Sequence, residues 1–126
     1  MAEPTVRVLL IDDDSSTFDL TRQLFDERYP GRFAFDWARS FEEALAVIRQ
    51  ARHDVYLVDH RIGGCRGVQL VAAVAAECQA PLIVTSEHEN HELDVAALRA
   101  GAADYLVRDA HDVAHLEHAI RYALQQ

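Results

Sequence analysis

Several short strand-like runs in this chain each end on a residue that can handle charge. Val6–Ile11 runs into Asp12-Asp13-Asp14, Asp54–Val58 into Asp59, Pro81–Val84 into Thr85-Ser86, and Asp104–Val107 into Arg108. Carboxylates gathered in one place repel one another, and burial makes ionising them costlier still. A divalent cation relieves that cost, and hard oxygen ligands with open positions suit Mg²⁺. The hydroxyl of Thr85 can hydrogen-bond an anion, and a cation at Arg108 can neutralise one. A carboxylate left free among such groups, Asp59, is placed to act as a nucleophile and form an aspartyl-phosphate. Positioning and charge neutralisation would then supply most of the catalysis.

For these residues to meet, the runs that carry them must lie side by side and point the same way. The run before Asp59 is short, apolar and rich in β-branched and aromatic residues, as in a strand buried on both faces of a parallel sheet. In open sheets of this kind ligand chemistry sits beyond the carboxyl ends of the strands. Phe33 to Ala38 alternates and reads as a shorter edge strand. Helical patterns fill the gaps. The pairs Leu20/Leu24 and Phe25/Tyr29 predict a helix from Ser15 or Ser16 to about Tyr29, stopped by Pro30-Gly31. Ser40-Phe41-Glu42-Glu43 predicts a capped start, followed by Ala44, Leu45 and Ile48 on one face with Phe41. A third helix is expected from Gly67 to about Cys78, and a fourth runs from the polar loop Glu87–Asn90 to Ala100, with Gly101 as its stop. Asp112 is the expected cap of the last, whose Leu116, Ala119, Ile120 and Ala123 face inward. Five strands alternating with five helices predict an α/β protein, a parallel five-stranded sheet with helices on both faces.

Length and composition narrow the function classes. The chain has 126 residues, enough for one domain with a real core, and residues 1–126 read as a single domain without linker or repeat. A formal charge of −9 disfavours direct binding to nucleic acid or an anionic membrane, whose footprint is a basic patch. No apolar run is long enough to span a bilayer and the N-terminus lacks a secretion pattern, so a cytoplasmic chain is expected. Cys65 and Cys78, roughly 15–20 Å apart if the third helix reaches residue 78, are read as reduced thiols.

In order and at these intervals, Ile11-Asp12-Asp13, Val58-Asp59, Gly67, Thr85-Ser86 and Ala100-Gly101-Ala102 before Tyr105 resemble the receiver domain of two-component response regulators. The resemblance covers the whole chain and implies a flavodoxin-like doubly wound (βα)5 sandwich with strand order 2-1-3-4-5. It implies that Asp59 accepts a phosphoryl group with Mg²⁺ (or Mn²⁺) as cofactor. Asp13 matches the direct metal ligand, Asp12 the acid acting through water, and the Arg61 backbone carbonyl the third protein ligand. Thr85 and Tyr105 match the switch pair, and Arg61 and Glu87 the two positions that tune phosphoryl lifetime. The implied donor is a sensor histidine kinase, a histidine phosphotransfer protein or a small molecule. The output is read from the face of helix 4, strand 5 and helix 5, through a fused or separate module or a homodimer. Such a chain catalyses its own phosphorylation and dephosphorylation but turns over no independent substrate. One position departs from the family: Arg108-Asp109 stands where Lys-Pro is usual. An arginine fork is bulkier than an ammonium and differently placed.

Simpler roles stand beside these. Asp14 is read as a helix start that touches no metal, and Arg108 as able to pair on the surface with Asp109 or Asp112 instead of phosphate. His60 is expected to face solvent. His111, His115 and His118 share one helical face, and His88-x-x-His91 lies in a loop; both are read as surface histidines rather than a metal site. Two alternative functions remain: a phosphorylation-independent pseudo-receiver serving as an interaction or dimerisation module, and a haloacid-dehalogenase-type phosphatase built on Asp12-x-Asp14 with Asp104 and Asp109. The second leaves Asp59 without a task.

Overall fold

A computed structural model describes residues 4–108 and 113–126. Strands β1 (Val6–Ile11), β2 (Phe33–Ala38), β3 (Val55–Asp59), β4 (Leu82–Ser86) and β5 (Asp104–Val107) form one parallel sheet in the order β2-β1-β3-β4-β5. The central strands explain their own composition. Every residue of β3 and β4 is buried, as continuous apolar runs require when helices cover both faces. The edge strand β2 keeps alternate residues in water.

Helices α1 (Ser15–Arg28) and α5 (Val113–Leu124) cover one face, where Val8, Leu10, Leu57 and Ile83 meet Phe25, Ala119, Ile120 and Ala123. Phe25 fixes α1 to β2: its ring lies edge-on to Phe33 at 4.9 Å and Phe35 at 5.0 Å, the geometry the aromatic quadrupole favours. Helices α2 (Phe41–Arg49), α3 (Gly67–Val74) and α4 (His91–Ala100) cover the other face, over Leu9, Ile11, Tyr56, Val58 and Val84. This is the doubly wound α/β arrangement with the expected strand order.

The helix starts and stops follow their caps. Asp14, Ser40 and Asn90 each accept a backbone N–H from the first turn, so three helices begin where a short polar side chain can satisfy an orphan donor. Gly101 ends α4 with φ +114°, and a Cβ there would sit 2.6 Å from that of Ala75. Conformation and close packing both demand glycine. The Asp112 cap lies outside the described residues.

Two features differ from the sequence reading. Helix α3 ends at Val74, not near Cys78. The chain tightens through a Glu77 N–H bond to the Val74 carbonyl, and Cys78 beyond it donates to the Ala80 carbonyl. Cys65 and Cys78 are both free thiols. Between β3 and α3, Arg61–Ile62 and Cys65–Arg66 pair as a small antiparallel ribbon around Gly63-Gly64, with Gly63 at φ +60°. No helix among the described residues is long and apolar enough to cross a membrane.

Candidate functional site

Parallel register lines up the carboxyl ends of the strands: Ile11 lies beside Val58, and Asp59 beside Thr85. Side chains alternate across a sheet, so Leu10 and Asp12 share a face, as do Leu57 and Asp59, and Ile83 and Thr85. The strands that bury an apolar core below therefore deliver two carboxylates and a hydroxyl just above it. Asp12 is 1% exposed, Asp59 7% and Thr85 3%.

Asp12 is held from several sides. Its backbone N–H donates to the Ala38 carbonyl (3.1 Å), and its own carbonyl accepts the Trp37 indole N–H (2.8 Å). Its Oδ1 accepts the Asp14 N–H at 3.0 Å. Asp13 is exposed, and its Oδ2 accepts the Gly63 N–H at 2.9 Å, tying the first acidic corner to the glycine ribbon after β3. One carboxylate oxygen each from Asp12, Asp13 and Asp59 lie within 4.8 Å of one another. Asp14 is not among them. It caps α1 through Oδ1, as its position implied.

Gly67 sets the floor behind Asp59. A Cβ at this position would collide with the Asp59 backbone carbonyl oxygen, so α3 can start this close only on a glycine.

Burial pushes the Asp59 carboxyl above its ordinary value, and the neighbouring Asp12 charge pushes it further; Arg108 and His60 work against the rise. Burial likewise raises Asp12, opposed by the Asp14 N–H and by Arg108. Two acids that resist ionising, sharing a hollow with a third, form a donor set that a hard divalent cation satisfies. The residues present thus fit Mg²⁺.

Arg108 reaches into this group from the end of β5. Its Nη1 lies 3.0 Å from Asp12 Oδ2, and its Nη2 lies 4.0 Å from Asp59 Oδ1 and 3.9 Å from Glu87 Oε1. The guanidinium thus turns in on these acids; Asp109 and Asp112, its possible surface partners, lie outside the described residues. Thr85 Oγ1 is buried and has no hydrogen-bond partner among the described residues, in a fold that satisfies nearly all such atoms.

Tyr105 sits one step away. Its phenol pairs with Ser86 Oγ, accepts the Asn90 N–H (3.2 Å) and donates to the His88 carbonyl (3.3 Å). The ring thus pins the loop between β4 and α4. Arg61 is exposed in the ribbon after β3, and Glu87 is exposed after β4, within reach of the Arg108 guanidinium.

His60 corrects the sequence reading. It turns back rather than out: its N–H donates to Asp59 Oδ1 at 3.0 Å, and its Nδ1 lies 3.2 Å from the same oxygen. A second histidine went unread: His53 is buried, with Nε2 2.7 Å from Asp36 Oδ2, at the far end of the molecule. Nothing in the pattern around either residue marked it. His115 and His118 are exposed on α5, and His111 lies outside the described residues.

Comparison with known proteins places this geometry. The response regulator receiver domain family matches residues 8–121. A protein-glutamate methylesterase/protein-glutamine glutaminase 5 of Myxococcus xanthus is 33% identical over 101 residues, which are 79% of this chain and 29% of that protein. The alginate biosynthesis transcriptional regulatory protein AlgB of Pseudomonas aeruginosa is 32% identical over 111 residues, 85% of this chain and 23% of that protein. The chain thus spans less than a third of these relatives' length. The crystal structure of a response regulator receiver domain protein (CheY-like) from Methanospirillum hungatei superposes with a TM-score of 0.81 at 23% identity, covering 97% of this chain and 95% of that one. The chain belongs to the response regulator receiver domain family of two-component signalling.

Proposed function

We propose that Asp59 accepts a phosphoryl group from a phosphohistidine donor and that the resulting charge switches the α4-β5-α5 face. The observation that carries this reading is the buried Thr85 hydroxyl, without a partner among the described residues, in register with Asp59 and beside three converging carboxylates. A hydroxyl without a partner is costly in a plain strand end. It becomes useful once an anion arrives on Asp59.

The chemistry follows from the side chains. An Asp59 carboxylate oxygen attacks phosphorus, the bond from phosphorus to the donor's imidazole nitrogen breaks, and its electron pair returns to the ring. The two His60 nitrogens hold Oδ1, leaving Oδ2 as the oxygen without a described partner. Arg108 offsets negative charge on the phosphoryl oxygens, and Thr85 donates to one of them. Asp12, Asp13, Asp59 and the Arg61 backbone carbonyl would hold Mg²⁺ (or Mn²⁺), which supplies charge neutralisation at the phosphoryl oxygens when bound. Movement of Thr85 toward the phosphoryl group alters the space beside Tyr105. Tyr105 grips His88 and Asn90, so the α4 end of the face responds. Glu87 and Arg61 border the approach of water and so set phosphoryl lifetime.

The donor is a sensor histidine kinase or a histidine phosphotransfer protein, in the cytoplasm. Residues 1–126 act as one receiver domain, with output through a fused or separate module or through a homodimer. The assembled acid group favours this switch over a docking-only pseudo-receiver. Asp14 caps a helix instead of joining the acids, which removes the acidic pair that a dehalogenase-type phosphatase would use.

Incubation with acetyl phosphate and Mg²⁺, read by intact mass, should add one phosphoryl group to the native chain and none to Asp59→Asn. Labelling that survives Asp59→Asn, or no labelling of the native chain, would overturn the assignment.

A further inference from the structure

Among Asp12, Asp13 and Asp59, Asp12 has both oxygens engaged within the described residues. Oδ1 accepts the Asp14 N–H and Oδ2 holds Arg108 Nη1, each at 3.0 Å. This ion pair is largely out of water: the Asp12 side chain is 2% exposed and that of Arg108 18%. The second arm of the same fork reaches toward Asp59 and Glu87 at about equal distance. A planar guanidinium can serve several acids at once, whereas an ammonium on a lysine stem is one compact point charge.

We infer that Arg108 is the resident counter-ion of the acid hollow, and that a divalent cation binds only by displacing its guanidinium from Asp12. The inference rests on the phospho-acceptor reading for its metal, but not on phosphoryl transfer itself. It assigns Arg108 two positions. Before metal binds, the fork neutralises Asp12 and supports the crowded acids. Once released, it lies between Asp59 and Glu87, where phosphoryl oxygens would meet it. The exchange makes the metal compete with a tethered cation, so affinity for Mg²⁺ is lower than the three carboxylates alone would give. Breaking a buried pair on one side leaves the other charge needing a partner, and the entering cation supplies it.

Trp37 is the reporter for the test. It is the single tryptophan of the chain, and its indole donates to the Asp12 carbonyl. Mg²⁺ titration of the full chain, followed by Trp37 fluorescence and in parallel by calorimetry, should show Arg108→Gln binding roughly tenfold more tightly than the native protein, the scale of losing one nearby positive charge. Arg108→Lys should fall between the two. Arg99→Gln, an exposed charge on α4, should stay within about twofold, because distant surface charges are screened. In an Asp12→Asn background the gain from Arg108→Gln should shrink, since the partner it frees is gone. Equal or weaker Mg²⁺ binding by folded Arg108→Gln, or an equal gain from Arg99→Gln, would overturn the inference. Circular dichroism establishes folding, and Arg108→Lys decides the matter if the glutamine variant does not fold. A native chain that takes no phosphoryl group while the Arg108 variants still bind Mg²⁺ more tightly would sink the proposed function and leave this exchange standing.

Discussion

The two ends of the sheet use aspartate in opposite ways. Near the amino edge, exposed Asp54 lies just before β3, and its Oδ2 accepts the Arg7 N–H (2.8 Å) while its own N–H donates to the Arg7 carbonyl (2.7 Å). The carboxylate stays in water and completes the entry of β3 alongside β1. At the carboxyl edge, Asp12 and Asp59 are buried together, both pushed toward the protonated form, with a guanidinium turned in on them. One end spends its acids on holding strands together. The other stores repulsion, and stored repulsion in a fixed hollow marks a site built to receive something.

The largest expected effect tests how tightly the second end is built. Gly67→Ala would press a methyl group into the Asp59 carbonyl oxygen and toward Val58 Cγ1. Backbone cannot yield as a flexible side chain does, so a loss of about 3 kcal/mol is expected. Urea unfolding measures it. A loss below about 1 kcal/mol would mean that the approach of α3 to β3 is slack and that Asp59 is not held by it.

This contrast was only partly open to a sequence reading. Residues 12, 59, 85 and 108 could be brought together on paper because parallel strands of similar length must end at one edge. That rule concerns backbone direction, and the register bears it out. Asp14 was readable for the same kind of reason, since a cap acts on its own next turn. What escaped was set by side-chain rotation or by chain too short to show a period. His60 follows a strand and can turn either way; only the fold of the ribbon decides. The end of α3 was overrun because Ala75, Ala76 and Glu77 are good helix formers, whereas the chain has to leave the helix to enter β4. Arg108 has a long, rotatable stem, and no spacing rule says which acid it will choose.

A middle-sized effect separates the two ends by sign. Asp59→Asn keeps the shape and removes a charge that burial and Asp12 oppose, so it should stabilise the chain by about 1 kcal/mol at pH 7. Asp54→Ala removes a satisfied acceptor and should cost about 1 kcal/mol. The pH dependence carries the same signature. Because the folded chain raises Asp59 above its ordinary 3.8, it binds that proton more tightly than the unfolded chain does. Stability from this group is therefore greatest below 3.8 and falls as pH rises through the folded value. The Asp59→Asn gain should accordingly be full at neutral pH and vanish in acid. Thermal unfolding of both variants across that range checks it. A stabilising Asp54→Ala, or a destabilising Asp59→Asn, would erase the distinction between the two ends.

The smallest effect concerns the uncharged part of the functional edge. Tyr105 holds Ser86, His88 and Asn90 through one hydroxyl, a neutral clasp on the loop beside the repelling acids. Tyr105→Phe keeps the ring packed against the α4 side of the core, Ser86 Oγ keeps its own bond to the His88 carbonyl, and the bonds lost at His88 and Asn90 are at the surface. The global loss should therefore be only about 0.5 kcal/mol. The local consequence should exceed the global one, because the N–H of Asn90 loses its acceptor at the start of α4. Hydrogen exchange at Asn90 should quicken markedly while β3 amides remain as protected as before. Unchanged exchange at Asn90 would show that the loop is held by Asn90's own cap of α4, and that nothing done to Tyr105 at the acid hollow could be passed to that helix.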